Sequence, residues 1–266
     1  MKILIIGCGN MGGAMLAGWL AGGRDPASFT VVDPFLSQVP AGVTLLREVN
    51  PEAPPFDVVL LGFKPQQLAE AAAGIAPLIG SHTLLLSILA GVDLETLRVR
   101  FPEAGGIVRV MPNLAAALGK SPIALSGEVT ADRAVLTEQL MAPLGQAEWL
   151  ESEGLMDLVT ALAGSGPAFV YRFIDALAAG ATALGLPREQ AERLALAMVE
   201  GAAMLAAASP DSPGDLARRV ASPGGTTQVG IDVLDQDDRL ARLMEDTLRG
   251  ARDRSTEMTR AAKAQG

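Results

Sequence analysis

Two stretches of this 266-residue sequence carry residue types and spacings suited to holding anions. The first is Gly7-Cys8-Gly9-Asn10-Met11-Gly12, a G-x-G-x-x-G run between an apolar strand-like segment and a helix-like one. Its first glycine permits a tight turn, the second lets backbone approach a pyrophosphate, and the third lets strand and helix pack closely. The phosphates then meet the unpaired N–H groups and positive dipole end of the helix. A glycine-rich turn without a ligand is the plainer reading. The order strand, loop, helix, second strand favours dinucleotide binding. Cys8 occupies an x position and reads as a small filler, not a nucleophile. Asp33 ends the second strand about twenty residues past the last motif glycine, where an acid can bind the adenosine ribose hydroxyls. By itself it favours NADH over NADPH, because a 2′-phosphate would face a carboxylate. No arginine follows within Pro34-Phe35-Leu36-Ser37. A turn or helix cap is the other reading of Asp33.

The second stretch is Ala221-Ser222-Pro223-Gly224-Gly225-Thr226-Thr227-Gln228, which leads into a helix. Two glycines free the backbone, and helix N-terminal N–H groups suit a carboxylate. Ser222, Thr226 and Thr227 add hydroxyls that both donate and accept. The alternative is an ordinary N-cap with Thr as the cap, worth about 1 kcal/mol. The supply of general bases is thin. His82, the single histidine, precedes a strand and reads as a solvated turn residue. Tyr171, the single tyrosine, falls in an apolar helix where packing is expected. Of Lys2, Lys64, Lys120 and Lys263, only the last belongs to the second half. A substrate that already carries its activating proton, such as a protonated imine, suits this inventory better than an alcohol, which needs a base.

Positioning these groups requires two kinds of scaffold. In the first half, apolar strands are expected at Lys2–Ile6, Ser28–Asp33, Val58–Gly62, Thr83–Ile88 and Gly106–Val110. Helices are expected at Met11–Ala21, Pro65–Leu78 and Leu94–Val99. That alternation indicates βαβ units and a sheet covered on both faces. Ile123–Ser126 and Ala147–Trp149, around a helix at Ala131–Leu144, extend the sheet. The second half turns alanine-rich, with helices expected at Leu155–Ala163, Ala168–Leu184, Arg188–Ala208, Gly214–Val220 and Thr227–Met258. The domain boundary is set at 150, dividing an α/β domain (1–150) from an all-α domain (151–266). Within Ala195–Ala208, Glu200 is the only charge, so that helix must be covered all round. A homodimer is the expected cover; packing on the chain's own first domain is the alternative.

Apolar residues at 49% and charged ones at 19% exclude general disorder. One cysteine and one histidine leave neither a disulfide framework nor a Cys- or His-built metal centre. A net charge of −9 argues against nucleic-acid binding, which needs a basic face. The longest apolar runs are strand-sized, well short of the roughly 20 residues that span a bilayer. A soluble cytoplasmic protein is expected.

Several motifs in order resemble the pyrroline-5-carboxylate reductase family. They are the loop from Ile6 to Gly12, Phe63-Lys64-Pro65-Gln66, Met111-Pro112-Asn113, Ala163-Gly164-Ser165-Gly166-Pro167-Ala168, Gly185-Leu186-Pro187 and Ser222-Pro223-Gly224-Gly225-Thr226-Thr227. The resemblance covers nearly the whole chain. It implies a Rossmann-type domain followed by a helical dimerisation domain, and NADPH- or NADH-dependent reduction of 1-pyrroline-5-carboxylate to proline. The cofactor contacts it implies are Ile6, Gly7, Cys8, Gly9, Asn10, Met11 and Gly12, with Gly62, Phe63, Lys64, Pro65, Ile88, Leu89 and Ala90; Asp33 is added from its position. It implies a substrate site at Ser222, Gly224, Gly225, Thr226 and Thr227, with the Thr227 hydroxyl reaching the ring nitrogen. Each active site is expected to combine one subunit's first domain with the partner's Ser222–Thr227 loop. The sequence departs from the family pattern at Ala221, Leu89 and Leu114-Ala115, and within the loop Ser209–Pro213. Two other classes remain open: another imine or β-hydroxyacid reductase on the same plan, and a module that binds the dinucleotide without turnover.

Overall fold

In the computed structural model, which describes residues 1–53 and 55–264, eight strands join one sheet. They are β1 (Ile3–Ile6), β2 (Phe29–Val32), β3 (Thr44–Leu46), β4 (Val58–Leu61), β5 (Leu84–Ser87), β6 (Gly106–Met111), β7 (Ser121–Ser126) and β8 (Gly145–Trp149). The order is β3-β2-β1-β4-β5-β6-β7-β8, parallel except for β6 against β7. Both faces are apolar, and the period of two along each strand divides the core. Ile3, Ile5, Val58 and Leu60 face the side of α1 (Asn10–Ala21) and α4 (Ala131–Met141), whose Met15, Leu16, Trp19, Leu140 and Met141 cover them. Leu4, Ile6, Val59 and Leu61 face α2 (Leu68–Ile75) and α3 (Leu94–Arg100) through Leu68, Ile75, Leu94 and Leu97. Trp19 is fully buried and stacks on Phe29 at 5.6 Å, and its indole N–H donates to Leu140 O at 2.6 Å. Its one polar atom is thereby satisfied, as buried indoles require.

The edge strand β3 is absent from the expected elements. It is three residues long with Thr44 and Leu46 exposed, so it has no buried face to leave an apolar pattern. The helix expected over Pro65–Leu78 is three pieces, with 3₁₀ turns at Pro65–Gln67 and Ala76–Leu78 around α2. A proline at the start of each turn removes an amide donor there.

Contacts divide the chain into one unit comprising Met1–Ser165 with the stretch from Gly250, and a second comprising Gly166–Arg249. The first unit thus runs past residue 150. Glu153 pairs with the buried Arg109 of β6 at 2.7 Å. In α5 (Met156–Val159), Met156 is buried against Met111 and Ala124. Asp157 accepts hydroxyl hydrogen bonds from Ser255, Thr256 and Thr259 of the last helix, α10 (Arg239–Ala264).

The second unit contains α6 (Gly166–Ala183), α7 (Arg188–Ala208), α8 (Pro213–Val220), α9 (Thr226–Asp235) and the start of α10. The single helix expected over Thr227–Met258 is in fact α9 and α10, broken at Gln236–Asp238. There Asp237 and Asp238 take φ of 54° and 55°. Aspartate tolerates this left-handed backbone through local hydrogen bonding of its short side chain. With no glycine or proline at the break, the pattern hid it. Among the described residues, only Ala178 and Ala191 of this unit are buried apolar residues. No described helix is long and apolar enough to cross a membrane.

Candidate active site

Parallel register brings the carboxyl ends of four strands level, with Ile6 opposite both Val32 and Leu61, and Leu61 opposite Ser87. The chain winds outward from β1 through β2 to β3, then crosses back to β4 on the other side of β1. Open α/β sheets bind ligands at such a reversal, in the crevice outside the strand ends. The loop Gly7–Gly12 occupies that position, and each motif glycine has its own reason to lack a side chain. Gly7 has φ +81°, and a Cβ there would lie 2.5 Å from the Phe63 backbone nitrogen. At Gly12 a Cβ would lie 2.9 Å from Gly7 O. At Gly9 nothing lies within 4 Å of the position a Cβ would take, and φ is an ordinary −70°. The chain itself therefore does not require glycine at position 9. The open space beside the backbone is the room a pyrophosphate needs. Gly9 is also the N-cap of α1 and offers no side chain to its first-turn N–H groups. These features fit a bound dinucleotide.

Asp33 stands at the expected place, but its carboxylate faces the protein backbone. Oδ2 accepts from Cys8 N–H at 2.9 Å, and Oδ1 from Phe35 N–H at 2.8 Å and Leu36 N–H at 3.2 Å. These are the bonds of a turn cap that also fastens the glycine loop to the end of β2. Cys8 is buried, and burial followed by the Asp33 charge pushes its thiol up to about 11. It stays protonated at neutral pH and makes a poor nucleophile.

The other expected cofactor stretches lie at the same strand ends. Gly62 passes so near the loop that a Cβ would sit 2.5 Å from Gly7 O. Phe63 packs on the α2–α3 side of the core, and Lys64 is exposed, its amide donating to Gln67 Oε1 at 3.2 Å. Pro65, Ile88 and Ala90 are half-buried; Asn10 is exposed and Met11 half-buried. Ile6, Cys8 and Leu89 point their side chains into the core, so each can offer only backbone. One neighbour escaped the sequence reading. Arg47, just after β3, donates through Nη1 to Pro34 O at 3.5 Å and also to Leu36 O. Only the register of β3 on β2 brings it beside Asp33, and β3 itself had no apolar signal.

In the second unit, Gly224 has φ +70°, and a Cβ on Gly225 would lie 2.6 Å from Ser222 Oγ. The tight turn is closed by Gly225 N–H donating to Ser222 O at 2.9 Å. Gly225 is the N-cap of α9, so the alternative with threonine as the cap is corrected: Thr226 and Thr227 are the first two helical residues, and no side chain caps the helix. By contrast, α8 is capped by Ser212, which accepts from Asp215 N–H at 3.1 Å. The hydroxyls of Ser222, Thr226 and Thr227 are exposed and have no hydrogen-bond partner among the described residues. The arrangement brings unpaired N–H groups, a positive dipole end and free hydroxyls together at one helix start, chemistry suited to an anion. His82 is exposed in a turn, as expected. Tyr171 on α6 is 68% exposed, contrary to the packing expected for it: no described residue of its unit covers that face of the helix.

The family description "Pyrroline-5-carboxylate reductase dimerisation" matches residues 153–258, and "NADP oxidoreductase coenzyme F420-dependent" matches residues 2–91. The chain is 35% identical to the pyrroline-5-carboxylate reductase of Pseudomonas aeruginosa, over 97% of this chain and 96% of that one. A solved pyrroline-5-carboxylate reductase structure from Coxiella burnetii is similar at TM-score 0.90 and 32% identity, covering 97% of this chain and 98% of that chain. A pyrroline carboxylate reductase of Plasmodium falciparum with NADP bound is similar at TM-score 0.83 and 25% identity, with coverage of 97% and 98%. Likeness in both sequence and fold, along nearly the whole of each chain, settles the family: the chain belongs to the pyrroline-5-carboxylate reductase family.

Proposed function

We propose that this chain reduces 1-pyrroline-5-carboxylate to L-proline, the last step of proline biosynthesis, with NADPH or NADH as reductant. The observation that carries the reading is the uncapped start of α9, with its free hydroxyls, in a family member that also has the Gly9 cradle. When bound, the dinucleotide would supply a hydride from nicotinamide C4 to the imine carbon, which is C2 of the pyrroline ring and becomes C5 of proline. The chain's own residues do the rest. The Gly7–Gly12 backbone and the first turn of α1 hold the pyrophosphate. The first-turn N–H groups of α9 hold the substrate carboxylate, a charge that does not change during reaction. The Thr227 hydroxyl accepts from the protonated ring N–H and orients the imine. As hydride adds at the imine carbon, the C=N electron pair moves to nitrogen, and the cationic imine becomes a neutral amine. Water supplies the proton that then makes the ammonium. No side-chain base is required, which matches the scarcity of His, Lys and Tyr. Holding both reactants in near-contact can supply several kcal/mol of the barrier reduction.

The working enzyme is a homodimer or larger homo-oligomer in the cytoplasm, and each active site includes the Ser222–Thr227 loop of the partner subunit. The exposed apolar side chains of α7, among them Leu196, Met198, Met204 and Leu205, support the assembly. The reading is tested by a panel of pyrroline-5-carboxylate, pyrroline-2-carboxylate and the six-membered analogue, each with NADPH and NADH. Cofactor oxidation with pyrroline-5-carboxylate as the best substrate is expected. Oxidation with a hydroxyacid pair instead, or with none of the imines, would point to the other two classes.

A further inference from the structure

We infer that Arg47 reads the 2′-phosphate of the dinucleotide and sets a preference of this chain for NADPH over NADH. The inference rests on the assignment of the Gly7–Gly12 cradle to a dinucleotide, and it reverses the expectation drawn from Asp33 alone.

Strand β3 pairs in parallel with β2, with Val32 opposite Leu46, and Asp33 N–H donates to Leu46 O at 3.1 Å. Arg47 is therefore level with Asp33 at the carboxyl end of the sheet, where dinucleotide folds place the adenosine ribose. Its Nη1 donates to the carbonyls of Pro34 and Leu36, which ties the guanidinium to the turn after β2. Both partners are neutral, and among the described residues no carboxylate pairs with Arg47. An exposed side chain of this length is normally free to wander. Here it is fixed by one nitrogen, while Nε and Nη2 keep their N–H groups for another ligand.

Choosing NADH requires an acid whose lone pairs face the ribose hydroxyls. Choosing NADPH requires a fixed cation at the same place. Asp33 is only 8% exposed and is engaged by three backbone N–H groups, so its best acceptor directions point into the protein. Arg47 is the reverse: exposed, charged and unpaired, with a planar fork that matches phosphate geometry. The Asp33 charge still disfavours a nearby phosphate. The guanidinium adjacent to it offsets that repulsion, and the three N–H donors draw the carboxylate charge inward.

The test is calorimetric binding to the intact enzyme of NADP⁺, NAD⁺, 2′,5′-ADP and AMP, comparing wild type with Arg47→Ala and Arg47→Lys. Wild type is expected to bind NADP⁺ more tightly than NAD⁺, and 2′,5′-ADP more tightly than AMP. Arg47→Ala should weaken NADP⁺ and 2′,5′-ADP about ten- to a hundredfold, the usual effect of losing a charged hydrogen bond, while NAD⁺ and AMP stay within about twofold. Arg47→Lys keeps the charge and should recover part of the loss. Equal weakening of both dinucleotides would make Arg47 a mere brace for the turn, and an unchanged or NAD⁺-preferring profile would equally overturn the inference. Binding of both dinucleotides to wild type with no Arg47 effect sinks the inference alone. Binding of neither sinks the cradle's assignment with it.

Discussion

Gly7 and Gly9 stand two residues apart and are glycine for different reasons. Gly7 holds a left-handed backbone against Phe63, whereas Gly9 meets nothing. Gly7→Ala should cost about 1–2 kcal/mol for the backbone conformation alone, before any overlap with Phe63. Gly9→Ala should keep stability within about 1 kcal/mol, the scale of an N-cap change, yet weaken dinucleotide binding by about tenfold or more through steric exclusion of a charged, hydrogen-bonded group. Thermal melting and titration of both variants check this, and a Gly9→Ala protein that binds normally would remove the cradle. At this scale the sequence was legible where chemistry is local. The glycine loop and the position of Asp33 could be read directly. The partners of Asp33, and the whole of Arg47, could not, because both depend on which backbone groups the sheet register brings alongside.

Elements show the same division. The buried strands announced themselves through predominantly apolar runs, and their observed ends differ from the expected ones by a residue or two. Strand β3, exposed and short, left no such trace, and the α9–α10 break lies at aspartates inside an otherwise helical pattern. The start of α9 was legible from Ser222-Pro223-Gly224-Gly225, though which residue caps it was not. Since no side chain caps this helix, Thr227→Ala should leave the melting temperature nearly unchanged. It should lower kcat/KM for the imine about ten- to a thousandfold, with NADPH affinity intact. Thr227→Ser should restore most activity. Kinetics and melting on the same preparations separate this outcome from a purely structural role, which would lower stability and spare turnover.

For the whole molecule, the first unit has a layered core on each face of its sheet, while the second buries almost no large apolar side chain within one chain. Helix α7 alone exposes Leu194, Leu196, Met198, Met204 and Leu205 by half or more. Covering the exposed half of such a side chain is worth about 1 kcal/mol, and a second copy of the chain can supply that cover. Light scattering should report at least two chains per particle. Leu205→Glu, which places a charge where cover is needed, should shift the mass toward one chain and lower the melting temperature; a fully active wild-type monomer would contradict the assembly. The central claim is that one enzyme passes a hydride from a nicotinamide to the imine carbon of a five-membered cyclic imine, the carbon that becomes C5 of proline. Its most direct measurement uses NADPH labelled with deuterium at C4, in separate R and S forms, followed by deuterium NMR of the product formed from 1-pyrroline-5-carboxylate. The account predicts proline carrying one deuterium at C5 from one of the two labelled forms and none from the other. Product without deuterium from either form, or with deuterium at C2, would contradict it.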